Sequence, residues 1–164
     1  LNSLPIVFVC ENNLFSVYTH LDDRQPKRPL TNLSEAHKIN SHHIQDLDVF
    51  SINRKFSQII ENTRLDSSPN FVLIDTYRWR EHCGVNFDDN LGYRDQIEVK
   101  KWMKNDPVAI SCDLALESQL IESKDIDNIK NKLDEKIKNV FTDAEVKPLP
   151  SPEMAEKFVY WSKS

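Results

Sequence analysis

Apolar and polar positions along this chain follow two different periods. Near the start, Pro5-Ile6-Val7-Phe8-Val9-Cys10 is a continuous apolar run, β-branched at Ile6, Val7 and Val9, which predicts a strand buried on both faces of a parallel sheet. It ends in the polar Glu11-Asn12-Asn13. Residues 22–32 are charged and proline-punctuated, so they read as a surface connection, and a short helix is expected from Leu33 to Ile39. Val49-Phe50-Ser51-Ile52 predicts a short strand. Ile52, Phe56, Ile59 and Ile60 then recur at helical spacing until Asp66-Ser67-Ser68-Pro69 stops them. Phe71-Val72-Leu73-Ile74 predicts a second buried strand.

Beyond that strand the pattern turns helical. Ile97, Trp102 and Met103 mark one helix and Asp106-Pro107 opens another. A long stripe, Ile126, Ile129, Leu133, Ile137 and Val140, reads as core packing behind a Ser123 cap. Lys147-Pro148-Leu149-Pro150-Ser151-Pro152 predicts an extended connector packed on a neighbour, because its prolines suit neither helix nor sheet interior.

Strand, helix and strand in that order place the class as α/β, with parallel neighbours joined by a right-handed crossover. In open α/β sheets ligands gather outside the carboxyl ends of the strands. Glu11 to Thr19 and Asp75 to Arg94 occupy those ends. The expected division is residues 1–94 for the sheet-bearing part and 95–164 for a helical region with a proline-rich tail.

Composition narrows the function. Lys and Arg number 21 and Asp and Glu 26, so the basic excess of a nucleic-acid or anionic-membrane binder is missing, and no apolar run approaches the roughly 18 residues of a membrane span. Glycine occurs only at Gly84 and Gly92. Neither a G-x-G-x-x-G fingerprint nor a Walker loop can exist in such a chain. The cysteines, Cys10, Cys83 and Cys112, are odd in number without a C-x-x-C pair, which favours a reducing cytoplasm over a disulfide framework. The start at Leu1, a few residues before a strand, reads as a cut through a larger protein.

Individual side chains admit plain and functional readings. Asn12-Asn13 is a turn signal by spacing alone, although an Asn amide oxygen at a strand end also suits Mg²⁺, which takes six hard oxygens. His82 lies in a loop carrying both glycines, where the chain can bend and function commonly sits; the plain alternative is an exposed loop imidazole. Arg78 offers a permanent charge to phosphate or carboxylate, or a structural ion pair to Asp75 or Asp88. His37, His42 and His43 lack a fourth ligand at credible spacing and read as a solvated helix end. His82-Cys83 lacks the orienting third residue of a cysteine nucleophile.

Several of these segments carry a resemblance. Pro5 to Asn13 resembles the strand and Asn-Asn that close the diphosphate and Mg²⁺ motif of the alpha-type decarboxylating subunit of thiamine-diphosphate-dependent 2-oxo acid dehydrogenases, of pyruvate, branched-chain or acetoin type. Thr76-Tyr77-Arg78 with His82 is similar to the family's T-Y-R-x-x-x-H segment, followed by Tyr93-Arg94; Asp106-Pro107 and the proline-rich run 147–152 resemble its later signatures. The resemblance implies the C-terminal portion of a thiamine-diphosphate-binding fold, a parallel sheet flanked by helices with a helical C-terminal region. It implies thiamine diphosphate and Mg as cofactors, Asn13 and Phe15 as metal and cofactor contacts, and His82 and Arg78 as catalytic residues, His82 also touching the cofactor diphosphate. It further implies a heterotetramer with a beta-type subunit supplying the aminopyrimidine side, a lipoyl-bearing acyltransferase as acceptor, and a small 2-oxo acid as substrate. The departures are the family's G-D-G, absent from the twelve residues before Asn13, Cys83 where mitochondrial relatives often carry a phosphorylatable Ser, and a loop from Gly84 to Gly92 unlike the usual pyruvate type. By that resemblance these 164 residues alone would be inactive. The alternative from another class is a non-catalytic interaction or regulatory domain that keeps the fold without the glycine-rich cofactor segment.

Overall fold

The computed structural model describes residues 4–155 and Lys157, which belong to two compact units, Leu1–Ala115 and Leu116–Ser164. The first unit is built on a three-stranded parallel sheet. Its strands are β1 (Val7–Asn12), β4 (Asn40–Ile44) and β5 (Asn70–Asp75), in the order β1-β5-β4, with a separate small hairpin of β2 (Phe15–Ser16) and β3 (Thr19–His20). The register runs from Val7 opposite Asn70 to Asn12 opposite Asp75, and from Asn40 opposite Asn70 to Ile44 opposite Ile74. All three carboxyl ends therefore finish on one side of the sheet. Around it run helices α1 (Leu21–Arg24), α2 (Thr31–Ala36), α3 (Val49–Asp66) and α4 (Gln96–Lys104), and α5 (Pro107–Glu117) carries the chain across the boundary between the units.

The central strand is the most buried because it alone has a neighbour on each edge. Val72 and Leu73 are buried on β5, and Val72 joins Ile44 and Ile59 in a core flanked by Val7, Ile52, Phe56 and Ile74. Ile52, Phe56 and Ile59 recur at spacings of four and three on α3, so one helical face covers one sheet face. Asn70 is buried at the strand's start, yet its amide donates to Thr63 Oγ1 and its Oδ1 lies 2.9 Å from His42 Nε2. A buried amide is tolerable only when so satisfied.

Several expectations are corrected. The apolar run at the start does form a strand, but β1 lies at the sheet edge among the described residues, and Phe8 and Val9 are about half exposed, at 48% and 50%. It is not buried on both faces. Val49 to Ile52 is no strand; it is the first turn of α3, because the Asp48 carboxylate accepts the Ser51 N–H at 2.7 Å and caps the helix there. A four-residue apolar run fits either element, and the cap decides. His42 and His43, read as a solvated helix end, lie on β4, a polar strand whose imidazoles find partners on β5: Asn70 for His42 and Asp75, at 2.8 Å, for His43.

The second unit contains α6 (Ser123–Glu145). Its cap is Glu122, not Ser123: the Glu122 side chain accepts from the Asp125 backbone while Asp125 accepts the Glu122 N–H at 2.9 Å, a reciprocal capping box. The apolar stripe is not core either. No α6 residue is buried, and Ile129, Leu133, Ile137 and Val140 are all at least 52% exposed. The proline-rich run leaves Leu149 92% exposed, so it is not packed as expected, and Pro152 opens a short 3-10 turn through Ala155. No described helix is long and apolar enough to cross a membrane.

Candidate functional site

The segment after β1 turns sharply, and its two asparagines make the turn. Asn12 Oδ1 accepts the Leu14 N–H at 3.2 Å and Asn13 Oδ1 accepts the Phe15 N–H at 2.9 Å, so each side chain mimics a backbone turn two residues on. Leu14 at φ 69° and Val17 at φ 55° take left-handed conformations, which non-glycine residues hold only when the surroundings impose them. Here the surroundings are visible. Leu21 N–H donates to the Leu14 carbonyl at 2.7 Å, and Arg78 Nη2 donates to the Val17 carbonyl at 2.8 Å.

Arg78 thus ties the loop after β5 to the hairpin after β1. Its guanidinium also donates to the Arg80 carbonyl, reaches Tyr93 Oη at 3.3 Å and stands 3.7 Å from Asp88. Phe15 and Tyr18 both pack edge-on against Tyr93, with ring centroids 5.6 and 4.9 Å apart. The loop therefore brings Phe15 and Arg78 to the same Tyr93 side chain. Beneath them Asp88, 3% exposed, pairs with Arg94, 5% exposed, and accepts the Tyr93 hydroxyl. Arg94 also donates to the Arg78 carbonyl and lies over the Tyr93 and Tyr77 rings at 5.0 and 5.7 Å. Asp88 is thus shared by two guanidiniums, of which the Arg94 side chain is fully buried while Arg78 keeps 19% of its side chain exposed.

Tyr77 extends the cluster to α4 by stacking on Trp102 at 5.4 Å and donating to Glu98 at 3.4 Å. Burial first, and the Glu98 carboxylate second, push its phenol up to about 12. It remains a neutral donor across the physiological range.

His82 lies apart from this cluster. Arg80 and Phe87 bridge across a narrow hairpin, the Arg80 guanidinium sits 4.7 Å over the Phe87 ring, and Glu81 N–H donates to the Asn86 carbonyl at 2.9 Å. His82, Cys83, Gly84 and Val85 form the exposed tip. The structure places His82 on the predicted loop, with its imidazole exposed and no hydrogen bond to Asn13, Phe15 or Arg78 among the described residues.

Two cavities open at the strand carboxyl ends. One, of about 260 Å³, is lined by Glu11, Asp46, Asp75, Tyr77, Trp79 and Trp102 among others; the second, of about 240 Å³, is bordered by Asn12, Arg28, His43 and Asp75. None of Asn13, Phe15, Arg78 or His82 lines either. Both cavities fall at the strand ends that the sequence pattern marks, with Glu11, Asn12, Asp75, Thr76, Tyr77 and Trp79 among their lining, but sequence reasoning missed the part played by Asp46, His43 and Trp102 and the buried Asp88–Arg94 pair. The signal available for the pair was two opposite charges six residues apart in a loop, which is indistinguishable from surface polarity until the loop folds back.

A parallel sheet flanked by helices, with cavities at its carboxyl ends, places this chain in the open-sheet α/β class. Comparison with known proteins supplies the family. Residues 1–153 match the dehydrogenase E1 component family, and the chain belongs to it. It is 28% identical over 152 residues to the chloroplastic pyruvate dehydrogenase E1 component subunit alpha-3 of Arabidopsis thaliana, covering 92% of this chain and 34% of that protein. It is 27% identical over 157 residues to the pyruvate dehydrogenase E1 component subunit alpha of Rickettsia bellii, covering 96% of this chain and 47% of that protein. The Porphyra purpurea subunit alpha matches at 24% over 132 residues. The chain thus spans less than half the length of these relatives.

Proposed function

We propose that this chain serves the thiamine-diphosphate-dependent oxidative decarboxylation of a 2-oxo acid, with the acyl unit passed to a lipoyl carrier, as part of an alpha-type subunit. The observation that supports this most is the packing of Phe15 on Tyr93 together with the Arg78 bond to the Val17 carbonyl, which joins the two motif-bearing loops beyond the carboxyl ends of β1 and β5. A beta-type subunit and a lipoyl-bearing acyltransferase are the partners this reading requires.

The donor set fits a magnesium-bound diphosphate. Asn13 Oδ1 uses one lone pair on the Phe15 N–H and keeps a second, and an amide oxygen with the Phe15 carbonyl offers hard ligands of the kind Mg²⁺ accepts alongside phosphate oxygens. Among the described residues no group of three or more His, Cys, Asp or Glu side chains is placed to hold a metal. By the resemblance, the share of these residues in such a site is the Asn13 amide and Phe15 carbonyl oxygens, with the Asp of the family's G-D-G as the carboxylate. When bound, the cofactor would supply the carbanion chemistry. The chain's own contributions are to orient and to neutralise: Asn13 and Phe15 hold the metal, Arg78 fixes the turn and adds positive charge, and His82 reaches the diphosphate and the acyl-transfer entrance from its exposed hairpin.

The test uses the complete gene product with its beta-type partner. Carbon dioxide release from pyruvate or a branched-chain 2-oxo acid is expected only with both thiamine diphosphate and Mg²⁺, and the 164 residues alone are expected to be inactive. A complete assembly that binds its partner but releases none from any 2-oxo acid tried would favour the non-catalytic interaction domain instead.

A further inference from the structure

His82 stands next to a side chain that no motif requires. Glu81 folds its carboxylate across the hairpin so that Oε1 accepts both the Asn86 N–H, at 3.2 Å, and the Asn86 Nδ2, at 2.8 Å, while the Glu81 N–H donates to the Asn86 carbonyl at 2.9 Å. Three hydrogen bonds between the same two residues close the base of the tip. Arg80 adds a further tie by donating to the carbonyl of Val85, the last residue of the tip. Gly84 is fitted to this arrangement, because a Cβ there would collide with Glu81 Oε1. A free glutamate could swing away from such a contact, whereas this one is held from the other side by Asn86.

We infer that Glu81 is a positioning residue: clamped to Asn86, it fixes the four-residue tip in the conformation that presents His82. The inference rests on the reading of His82 given above, and deepens it by naming what holds the imidazole in place. An ionised carboxylate accepting two N–H groups makes a charge-assisted contact stronger than a neutral one. Without it the tip would keep only the Glu81 N–H to Asn86 carbonyl bond, the Arg80–Val85 bond and the Arg80–Phe87 bridge, and an exposed loop with fewer ties samples more conformers. The cost would fall on the order of His82 and not on the sheet.

The experiment is amide exchange and His82 imidazole NMR on the full chain, comparing wild type with Glu81→Ala, Glu81→Gln and Gly84→Ala. In Glu81→Ala the Asn86 and Glu81 amides are expected to exchange roughly tenfold faster or more and the His82 resonance to move toward that of an unstructured histidine, with β5 amides unchanged. Glu81→Gln keeps the oxygen acceptor and is expected to restore much of both signals. Gly84→Ala is expected to act like Glu81→Ala, but to add nothing in the Glu81→Ala background, since the carboxylate it displaces is already gone. Unchanged Asn86 exchange in Glu81→Ala, or loss of protection that spreads through β5, would overturn the clamp. Adding magnesium diphosphate to the wild type in its beta-type complex tests the underlying role separately: a silent His82 resonance there removes the diphosphate contact and leaves the exchange result to decide the clamp.

Discussion

Replacing Arg94 by Met is expected to destabilise the first unit by about 3–5 kcal/mol, the range for removing one partner of a buried ion pair. Arg94 is 5% exposed and Asp88 3%, so the carboxylate left behind keeps only the Tyr93 hydroxyl and Arg78 at 3.7 Å. Against a total stability of about 5–15 kcal/mol for a native protein, that loss is large. Arg94 also holds the Arg78 carbonyl and fills the space between the Tyr77 and Tyr93 rings. Exchanging both members, Asp88→Leu with Arg94→Met, is expected to recover most of the loss, because the expensive species is the unpaired charge and not the absence of the pair. Urea unfolding monitored by circular dichroism measures both. A single Arg94→Met variant within about 0.5 kcal/mol of wild type, the range usual for surface substitutions, would show that the loop does not bury this pair in solution.

The second large effect concerns the exposed tip. In the complete enzyme His82→Ala is expected to leave folding intact, since the imidazole is exposed, and to reduce acyl transfer to lipoyl by about a hundredfold, the low end for a positioned acid or base. Decarboxylation read with an artificial electron acceptor should fall much less. In the proposed reading the exposed hairpin lines the approach of a lipoyl arm, whereas the groups that act on the 2-oxo acid belong to the opposite subunit. Cys83→Ser serves as the control, changing the neighbouring tip residue while leaving both rates close to wild type. Equal small effects of the two substitutions on both rates would remove the case for His82.

What the chain reveals before folding depends on whether a residue's environment is local. The strand over β5 and the start of α5 could be read because they follow from short-range rules: a buried apolar run, and Asp106 accepting the Val108 N–H at 2.8 Å. β4 was illegible because Asn40-Ser41-His42-His43-Ile44 has no apolar alternation; the strand exists because Asn70 and Asp75, about thirty residues on, accept its imidazoles. The stripe on α6 misled for the opposite reason, since a helical period shows which face is apolar and says nothing about what covers it.

The candidate site divides along the same line. Asn13 was legible as both turn residue and metal ligand, and the structure shows the turn. Arg78 was legible as a charge near an anion, yet its bonds to the Val17 and Arg80 carbonyls came from parts of the chain whose proximity no spacing rule predicts. Asp88 was only a passing partner for Arg78 in the sequence, and it is the buried hub of the loop.

The measurement closest to the central claim is a calorimetric titration of thiamine diphosphate, with Mg²⁺ present, into the complete alpha and beta assembly carrying wild-type Asn13, Asn13→Asp or Asn13→Ala. Asp keeps an oxygen for both the Phe15 N–H and the metal, so its affinity should stay near wild type. Ala loses both, and affinity should fall by at least about tenfold, the lower bound seen when even a supporting residue of a metal site is removed. The apo protein's melting temperature should change little, because only one half-exposed turn hydrogen bond is lost. Unchanged Mg²⁺-dependent binding in Asn13→Ala, with the apo protein clearly less stable, would make Asn13 a turn residue and nothing more, and would contradict the assignment of the metal and diphosphate side to this chain.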